Sequence, residues 1–450
     1  MQDGRSGKKG FPNLNRRDGQ GGFMLFGKEN FRKKNNGKYL IGYQLLRDTA
    51  QISFLRIGEE QPYTLSLVAG KEEYNIPLCL YREEERLWLI GKDAREKGEG
   101  SRIGYIDDLL QAAYEGREIQ LAAESYNSRA LLALFVKKSL SLLSLETSLK
   151  QVAAIMFTLE ESDFCHREAL TEMTEYLQLP WIQMMFMGKE ESFFWYNLHT
   201  EPGLWSGQVM LYELMKKDLI SYRLFINRNT RPMVTMVKKQ EYPQWQKEDS
   251  SGSKKDDRSF LELCQKDFRN RDITAVYLIG DGFAGDWYQE TLRFLCQNRR
   301  VFRGNNLYSK GACQGLLQKL ALDKLGETYI YLGEEQLSAN VGMDLFRQGE
   351  ASYLAILNGG NSWYDCKKEW DVILQGSNEL VFKITPLDGK AIKEYTMTLN
   401  GLPTQKEAFS RIRIKAAMSS PRELQIKAKD MGFGQFYAST ERIWEDTIEV

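Results

Sequence analysis

Histidine, which often carries acid–base or metal chemistry, is rare in this sequence of 450 residues. Only two histidines occur, His166 and His199, so a metal site with three histidine ligands is excluded and a histidine base would have to be one of these two. His166 begins a helical pattern rich in acidic residues, and His199 lies in a polar loop pattern with no nucleophile near it. We therefore expect no catalytic histidine and no metal site.

One strand-to-helix turn has a composition that suits an anion. Gly280, Asp281 and Gly282 follow an apolar strand pattern and precede a helical pattern. Glycines let backbone amides approach a phosphate, although a turn of this kind also needs glycine for its own geometry. Elsewhere in the chain, the adjacent lysines Lys216 and Lys217 could neutralise a phosphate without a metal, or could form a solvated hairpin turn.

Composition and charge restrict the class of protein. The 61 Lys and Arg residues equal the 61 Asp and Glu residues, which disfavours a globally basic nucleic-acid-binding protein. Six cysteines are scattered without a CxxC pair, which is typical of reduced thiols in the cytoplasm. No apolar run reaches the roughly 18 residues of a membrane span, and the first residues are not a secretory signal. We expect a cytoplasmic protein without membrane contact.

The chain divides into three segments of different character. Residues 1–37 carry nine basic and three acidic residues, net +6, and predict a disordered basic tail that binds nucleic acid weakly at most. Residues 38–328 contain two clusters of strand patterns, each followed by helical patterns, which predict an α/β domain with two lobes. Residues 329–450 contain short strand patterns at about ten-residue spacing, which are typical of an all-β sandwich.

Short stretches of residues 38–450 match the motifs of one known family in the right order. The stretches are residues 41–49, 209–226, 277–283, 399–403 and 423–430. On these stretches the sequence resembles the DnaK-type heat-shock chaperones of the actin-like ATPase superfamily. The resemblance implies an actin-like (ribonuclease H-like) domain of two lobes, followed by a β-sandwich that binds client polypeptide.

This sequence lacks several residues on which the phosphate chemistry of that family depends. Gln44 stands where the family has its first metal-directed Asp, and Leu46 replaces a glycine of the same motif. Glu213 stands for the second Asp, and residues 215–218 replace the Gly-Gly-Gly-Thr that follows it. The family's water-positioning acid falls on Met187. Because several parts of one mechanism are absent together, we expect no catalytic residue and no cofactor, with binding of Mg-ATP disfavoured.

Some residues nevertheless remain candidates for binding. The residual nucleotide-binding candidates are Asp48, Thr49, Glu213, Lys216, Gly280, Asp281 and Gly282. In the β-sandwich, Trp363, Tyr364 and Trp370 fall near the client-binding loops of the family. The resemblance implies that they hold a client beside a strand edge, and the alternative is that they belong to the sandwich core.

Three interpretations follow. The leading hypothesis is a non-catalytic DnaK-like protein that binds a polypeptide or a protein partner, such as another chaperone. The second is a divergent ATPase in which Asp48, Glu213 and Asp281 hold the metal. The third is an assembly element or a filament-forming relative of actin.

Overall fold

The computed structural model describes residues 9–12, 31, 33–83, 87–121, 124–215, 217–247, 253–321, 323–347, 349–404, 408–434 and 438–450. These residues form two compact units. The α/β unit consists of residues 24–226 and 235–327, and the β unit consists of residues 1–23, 227–234 and 328–450. Among the helices of the described ranges, none is both long enough and apolar enough to cross a bilayer.

Strands and helices alternate through the first half of the chain. In chain order they are β1 (Lys9–Pro12), β2 (Tyr39–Leu45), β3 (Thr49–Arg56), β4 (Tyr63–Thr64), β5 (Ile76–Pro77), β6 (Leu80–Arg82), β7 (Trp88–Ile90), α1 (Gly91–Gly100), β8 (Tyr105–Ile106), α2 (Leu109–Glu115), β9 (Glu118–Leu121), β10 (Glu124–Asn127), α3 (Ser128–Ser141), β11 (Val152–Leu159), α4 (Phe164–Leu177), β12 (Gln183–Gly188) and α5 (Lys189–Leu198).

The second half begins with mixed elements and ends in strands alone. Its elements are β13 (Gln208–Met215), β14 (Asp218–Asn227), β15 (Met233–Gln246), α6 (Lys254–Phe268), β16 (Ile273–Ile279), α7 (Gln289–Leu295), β17 (Arg300–Arg303), α8 (Leu307–Leu320), α9 (Lys324–Thr328), β18 (Tyr329–Tyr331), β19 (Ala339–Arg347), β20 (Glu350–Leu357), β21 (Lys367–Gln375), β22 (Glu379–Pro386), β23 (Lys393–Thr398), β24 (Phe409–Ser420), β25 (Glu423–Asp430) and β26 (Ile443–Glu449).

Two sheets of the α/β unit repeat one topology. The first has the order β12-β11-β2-β3-β4, in which β2 is parallel to β11 and antiparallel to β3. The second has the order β17-β16-β13-β14-β15, in which β13 is parallel to β16 and antiparallel to β14. In both sheets the strand that comes first in the chain, β2 or β13, lies between the strand that follows it directly and a later, parallel strand. The α/β unit therefore contains two copies of one arrangement of strands.

Helix α8 packs closely against the first sheet and against α5. A Cβ atom at Gly42 in β2 would lie 2.0 Å from the backbone oxygen of Ser309, and a Cβ atom at Gly311 would lie 2.0 Å from that of Ser192. Only glycine permits such approaches of backbone to backbone. Gly42, which belongs to the first family-like stretch, is thus required by helix packing alone.

The β unit contains two antiparallel sheets that share one hydrophobic core. Their orders are β1-β21-β24-β25-β26 and β20-β19-β22-β23. Alternate residues of β24 and β25 are buried, as expected for strands with one face toward a core and one toward solvent. Val341 and Phe382 come from one sheet, Ile412 and Ile426 come from the other, and all four belong to the same core.

Two expectations about chain organisation need correction. Residues 9–12, expected to belong to a disordered tail, form β1, whose backbone pairs with the edge of β21. The remaining calls on residues 1–30 lie outside the described residues. Residues 227–234, expected in the α/β domain, belong to the β unit.

Candidate functional site

A cavity of about 810 Å³ lies inside the α/β unit. Its wall includes the ends of the central strands β2 and β13, through Gln44 and Glu213, together with Ile279 at the end of β16. Residues 95–111, from α1 to α2, close another side. A volume of this size is within the usual range for small-molecule sites.

Five of the seven nucleotide-binding candidates line this one cavity. They are Asp48, Thr49, Glu213, Gly280 and Asp281. Gly282 is buried next to this group but is not part of the lining. Lys216 lies outside the described residues.

Two tight hairpins occur at the positions where the resemblance implies glycine-rich phosphate loops. Between β2 and β3 the backbone N–H of Leu46 donates to the oxygen of Thr49 at 3.0 Å. Between β13 and β14 the pairing of Met215 with Asp218 leaves a turn of only two residues. Leu46 and Met215 both line the cavity. Because the Leu46 amide is already bonded and both residues carry bulky side chains, neither hairpin resembles a backbone cradle for an anion.

Gly280 and Gly282 have a packing reason for being glycine. Gly280 has a φ of +101°, and a Cβ atom there would lie 2.3 Å from the backbone oxygen of Leu214 in β13. A Cβ atom at Gly282 would lie 2.3 Å from Cγ of the same leucine. The amide of Gly280 donates to Oδ1 of Asn305 at 3.1 Å. The turn therefore needs both glycines without any ligand.

Glu213 forms a buried ion pair with Lys189, the first residue of α5. Lys189 is 2% exposed and Glu213 is 3% exposed, and Nζ lies 2.9 Å from Oε2. Glu160 Oε1 lies 3.6 Å from the same ammonium, and the Tyr308 hydroxyl donates to Glu213 Oε2 at 3.5 Å. The ring centroids of Tyr222 and Tyr308 lie 5.7 and 5.8 Å from Nζ, which adds cation–π attraction.

The surroundings keep Lys189 charged. Burial opposes the ammonium form, but the nearby carboxylates of Glu213 and Glu160 outweigh it and raise the pKa of Lys189 well above its usual value. The sequence analysis did not identify this residue as functional. One signal was present: the lysine begins a helix whose following aromatic residues are buried, and a buried lysine needs an anionic partner.

Two glutamines in the cavity wall, Gln44 and Gln51, are polar but uncharged. Gln44 and Gln51 face each other in the β2–β3 register, and Nε2 of Gln51 donates to Oδ1 of Asn75 at 2.5 Å and to the backbone oxygen of Asn305 at 2.7 Å. Both glutamine Oε1 atoms are buried and have no hydrogen-bond partner among the described residues. At the position where the resemblance implies a carboxylate, the structure therefore has the amide of Gln44.

Among the described residues, no three carboxylates of the cavity lie close enough together to form a metal-binding cluster. Within the described ranges one cluster of three potential ligands occurs, and it lies elsewhere, at Glu161, Asp163 and His166. Asp163 caps α4 there, since its Oδ1 accepts the backbone N–H of His166 at 3.0 Å. Its other oxygen lies 2.5 Å from His166 Nδ1, so the cluster is explained by helix capping.

His199 ends α5 and is not a solvated loop residue. Its Nδ1 lies 2.8 Å from the backbone oxygen of Trp195, which an N–H at that position can reach, and its Nε2 lies 3.2 Å from Nε2 of Gln318. Burial lowers the pKa of His199 and favours the neutral ring. It is absent from the lining of the cavity.

Two of the three aromatic candidates of the β unit are in contact with each other, and two pack against its core. The rings of Trp363 and Tyr364 are 5.6 Å apart, and Nε1 of Trp363 donates to Oε2 of Glu335 at 2.5 Å. Trp363 and Trp370 are half-buried and pack against the hydrophobic core. Nε1 of Trp370 has no hydrogen-bond partner among the described residues. The two tryptophans therefore contribute to the core, whatever they also bind.

Comparison with known families divides the chain near the boundary of the two units. A family model described as "Family of unknown function (DUF5716) C-terminal" matches residues 61–334, and the chain belongs to this family. A second model, "Domain of unknown function (DUF8552)", matches residues 336–450. No curated protein matches the chain. Lys189 and Glu213 lie within the first match, and Gln44 precedes it.

Proposed function

We propose that this protein is a non-catalytic, DnaK-like member of the actin-like ATPase superfamily that binds a polypeptide or a protein partner. The repeated sheet topology of the α/β unit supports the fold in this proposal, because an actin-like domain consists of two lobes of similar construction. The cavity lined by the ends of both central strands, β2 and β13, supports the same assignment.

The Lys189–Glu213 pair is the observation that carries the non-catalytic part of the proposal. Hydrolysis of a nucleoside triphosphate in this family needs carboxylates that hold a hydrated magnesium ion against the phosphates. Here Glu213 is bound to a lysine ammonium at 2.9 Å, and the corresponding residue of the first lobe is Gln44. No acidic pair of the required kind remains at these two positions.

Calorimetry tests this part directly. We expect the purified protein to show no saturable heat with Mg-ATP and no phosphate release above buffer, with an active DnaK-type ATPase as the positive control. Steady hydrolysis by the wild-type protein would overturn the proposal. If Glu213→Ala then abolished that hydrolysis, the divergent ATPase would replace it.

The binding part of the proposal rests on the β unit. Among the described residues, the edge strands β20, β23 and β26 each pair with a single neighbour, so each leaves one row of backbone groups open to an added strand. The half-buried Trp363 and Tyr364 precede β21, and Lys368 of β21 donates from Nζ to the backbone oxygen of Ala355 in β20 at 2.6 Å. An aromatic pair near an open edge is suited to an extended apolar peptide.

Fluorescence anisotropy with labelled extended peptides tests the binding part. We expect Tyr364→Ser to weaken binding of an apolar peptide, because it removes the outer ring of the aromatic pair. The matched control is Tyr176→Ser in α4, a tyrosine that is 48% exposed in the other unit. Equal loss in both variants, or binding unchanged by Tyr364→Ser, would count against the aromatic pair as the peptide site.

A further inference from the structure

The two positions where the resemblance implies metal-directed carboxylates do not suit a magnesium ion. A divalent ion is held by hard, negatively charged oxygen ligands, usually one or two carboxylates together with phosphate oxygens. Gln44 supplies only a neutral amide, and Glu213 supplies a carboxylate that a lysine ammonium already contacts at 2.9 Å. Gln51, beside Gln44 in the register, is also neutral.

We propose that the Lys189 ammonium is a built-in substitute for the metal ion, so that the cavity binds its ligand without a divalent cation. The inference rests on the proposed function, since it concerns the same cavity. Among the lining residues that are buried, Glu213 carries the one formal charge. A carboxylate so deeply buried is stable only beside a positive charge. In this protein the positive charge belongs to a side chain of the chain itself, Lys189, the first residue of α5.

The position of this ammonium is fixed by several neighbours. Lys189 follows β12, which is parallel to β11, and so its backbone is anchored at the end of a sheet. The tyrosine rings of Tyr222 and Tyr308 face the ammonium, and Tyr308 also donates to the partner carboxylate Glu213. The pair is therefore a preorganised part of the fold, unlike a metal ion that must be bound from solution.

The inner wall restricts the class of ligand. It combines a carboxylate that is paired with Lys189 and the amides of Gln44 and Gln51. The other charged lining residues are half-buried or exposed; they are Arg47, Asp48, Arg95, Glu99, Arg102, Asp107, Asp108 and Asp281. The wall is suited to a small, metal-free molecule that presents an uncharged, hydrogen-bonding group to the glutamines.

Thermal unfolding with divalent cations tests the inference. Removing the ammonium in Lys189→Met leaves the Glu213 carboxylate without a counter-ion, so Mn²⁺ or Mg²⁺ should raise the melting temperature of this variant. The wild type and the double variant Lys189→Met/Glu213→Gln should show no rise beyond that of a monovalent salt at equal ionic strength. Lys319→Met is the matched control, because Lys319 and Glu191 form another 2.9 Å pair outside the cavity lining.

The reverse variant keeps the inference testable if Lys189→Met does not fold. Glu213→Gln leaves a buried ammonium without a carboxylate, and inorganic phosphate should then raise its melting temperature but not that of the wild type. Divalent stabilisation of the wild type equal to that of Lys189→Met would overturn the inference. The inference would also be overturned if divalent cations did not raise the melting temperature of Lys189→Met and phosphate did not raise that of Glu213→Gln. Neither result depends on ATP hydrolysis, which tests the proposed function separately.

Discussion

The double-mutant cycle of Lys189 and Glu213 gives the sharpest prediction for stability. Both side chains are almost completely buried, and their charged atoms are 2.9 Å apart. Removing one partner of a buried ion pair leaves the other charge desolvated and costs about 3–5 kcal/mol. Replacing both partners by neutral side chains of similar volume is often nearly neutral, because no isolated charge remains. Lys189→Met and Glu213→Gln should therefore each be more destabilising than the double variant.

Urea unfolding followed by tryptophan fluorescence measures the four free energies of unfolding in this cycle. We expect a coupling free energy of about 2 kcal/mol or more between the two positions, within the range seen for residues in one network. The Lys319–Glu191 pair is the control cycle, because the Lys319 side chain is 26% exposed and a partly solvated pair contributes less, about 0.2–1 kcal/mol. A coupling for Lys189 and Glu213 no larger than that of the control would refute the reasoning.

Three other predictions concern packing, protonation and the phosphate loops. Gly42→Ala should destabilise the α/β unit by about 1–3 kcal/mol in the same urea assay, because the new Cβ atom would lie 2.0 Å from the Ser309 oxygen. An unchanged midpoint of urea unfolding would contradict that contact. Burial lowers the pKa of His199, so the unfolded chain binds more protons than the folded protein, and the free energy of unfolding should fall as the pH drops below about 6.5. His199→Asn should flatten this pH dependence. An equal slope in both proteins would exclude His199 as its cause. Leu46→Gly combined with Met215→Gly should not restore Mg-ATP binding in calorimetry, because the lysine ammonium remains; tight binding would show that loop bulk alone blocks the nucleotide.

Local sequence patterns predicted several elements because their signals lie within a few neighbouring residues. The apolar run over 273–279 coincides with strand β16, and the run from Tyr39 ends one residue beyond β2. The substitution of Gln44 and Leu46 within the first phosphate motif is visible from residue types alone. Local patterns did not predict that five of the candidate residues would line one cavity. That expectation came from the resemblance alone, and in the structure the five residues do line one cavity.

The roles of individual residues depended on distances that local patterns do not contain. Gly42 lies in the stretch that resembles the family's first phosphate motif, but it is required by a helix more than 260 residues further along the chain. Gln51 bonds to the backbone of Asn305 across a separation of 254 residues. Such contacts form only when the sheets and helices pack together, so no window of sequence predicts them.

The sequence by itself determined which side chains stand at the positions that resemble the family's phosphate motifs, because a glutamine cannot act as a carboxylate and a leucine cannot act as a glycine wherever they lie. It also determined the short strand patterns at about ten-residue spacing in residues 329–450, since each pattern is local. Only the tertiary structure decided that Lys189 neutralises Glu213. The pairing of those two charges requires α5 and β13 to bury both side chains in one place, where the loss of water makes each charge dependent on the other.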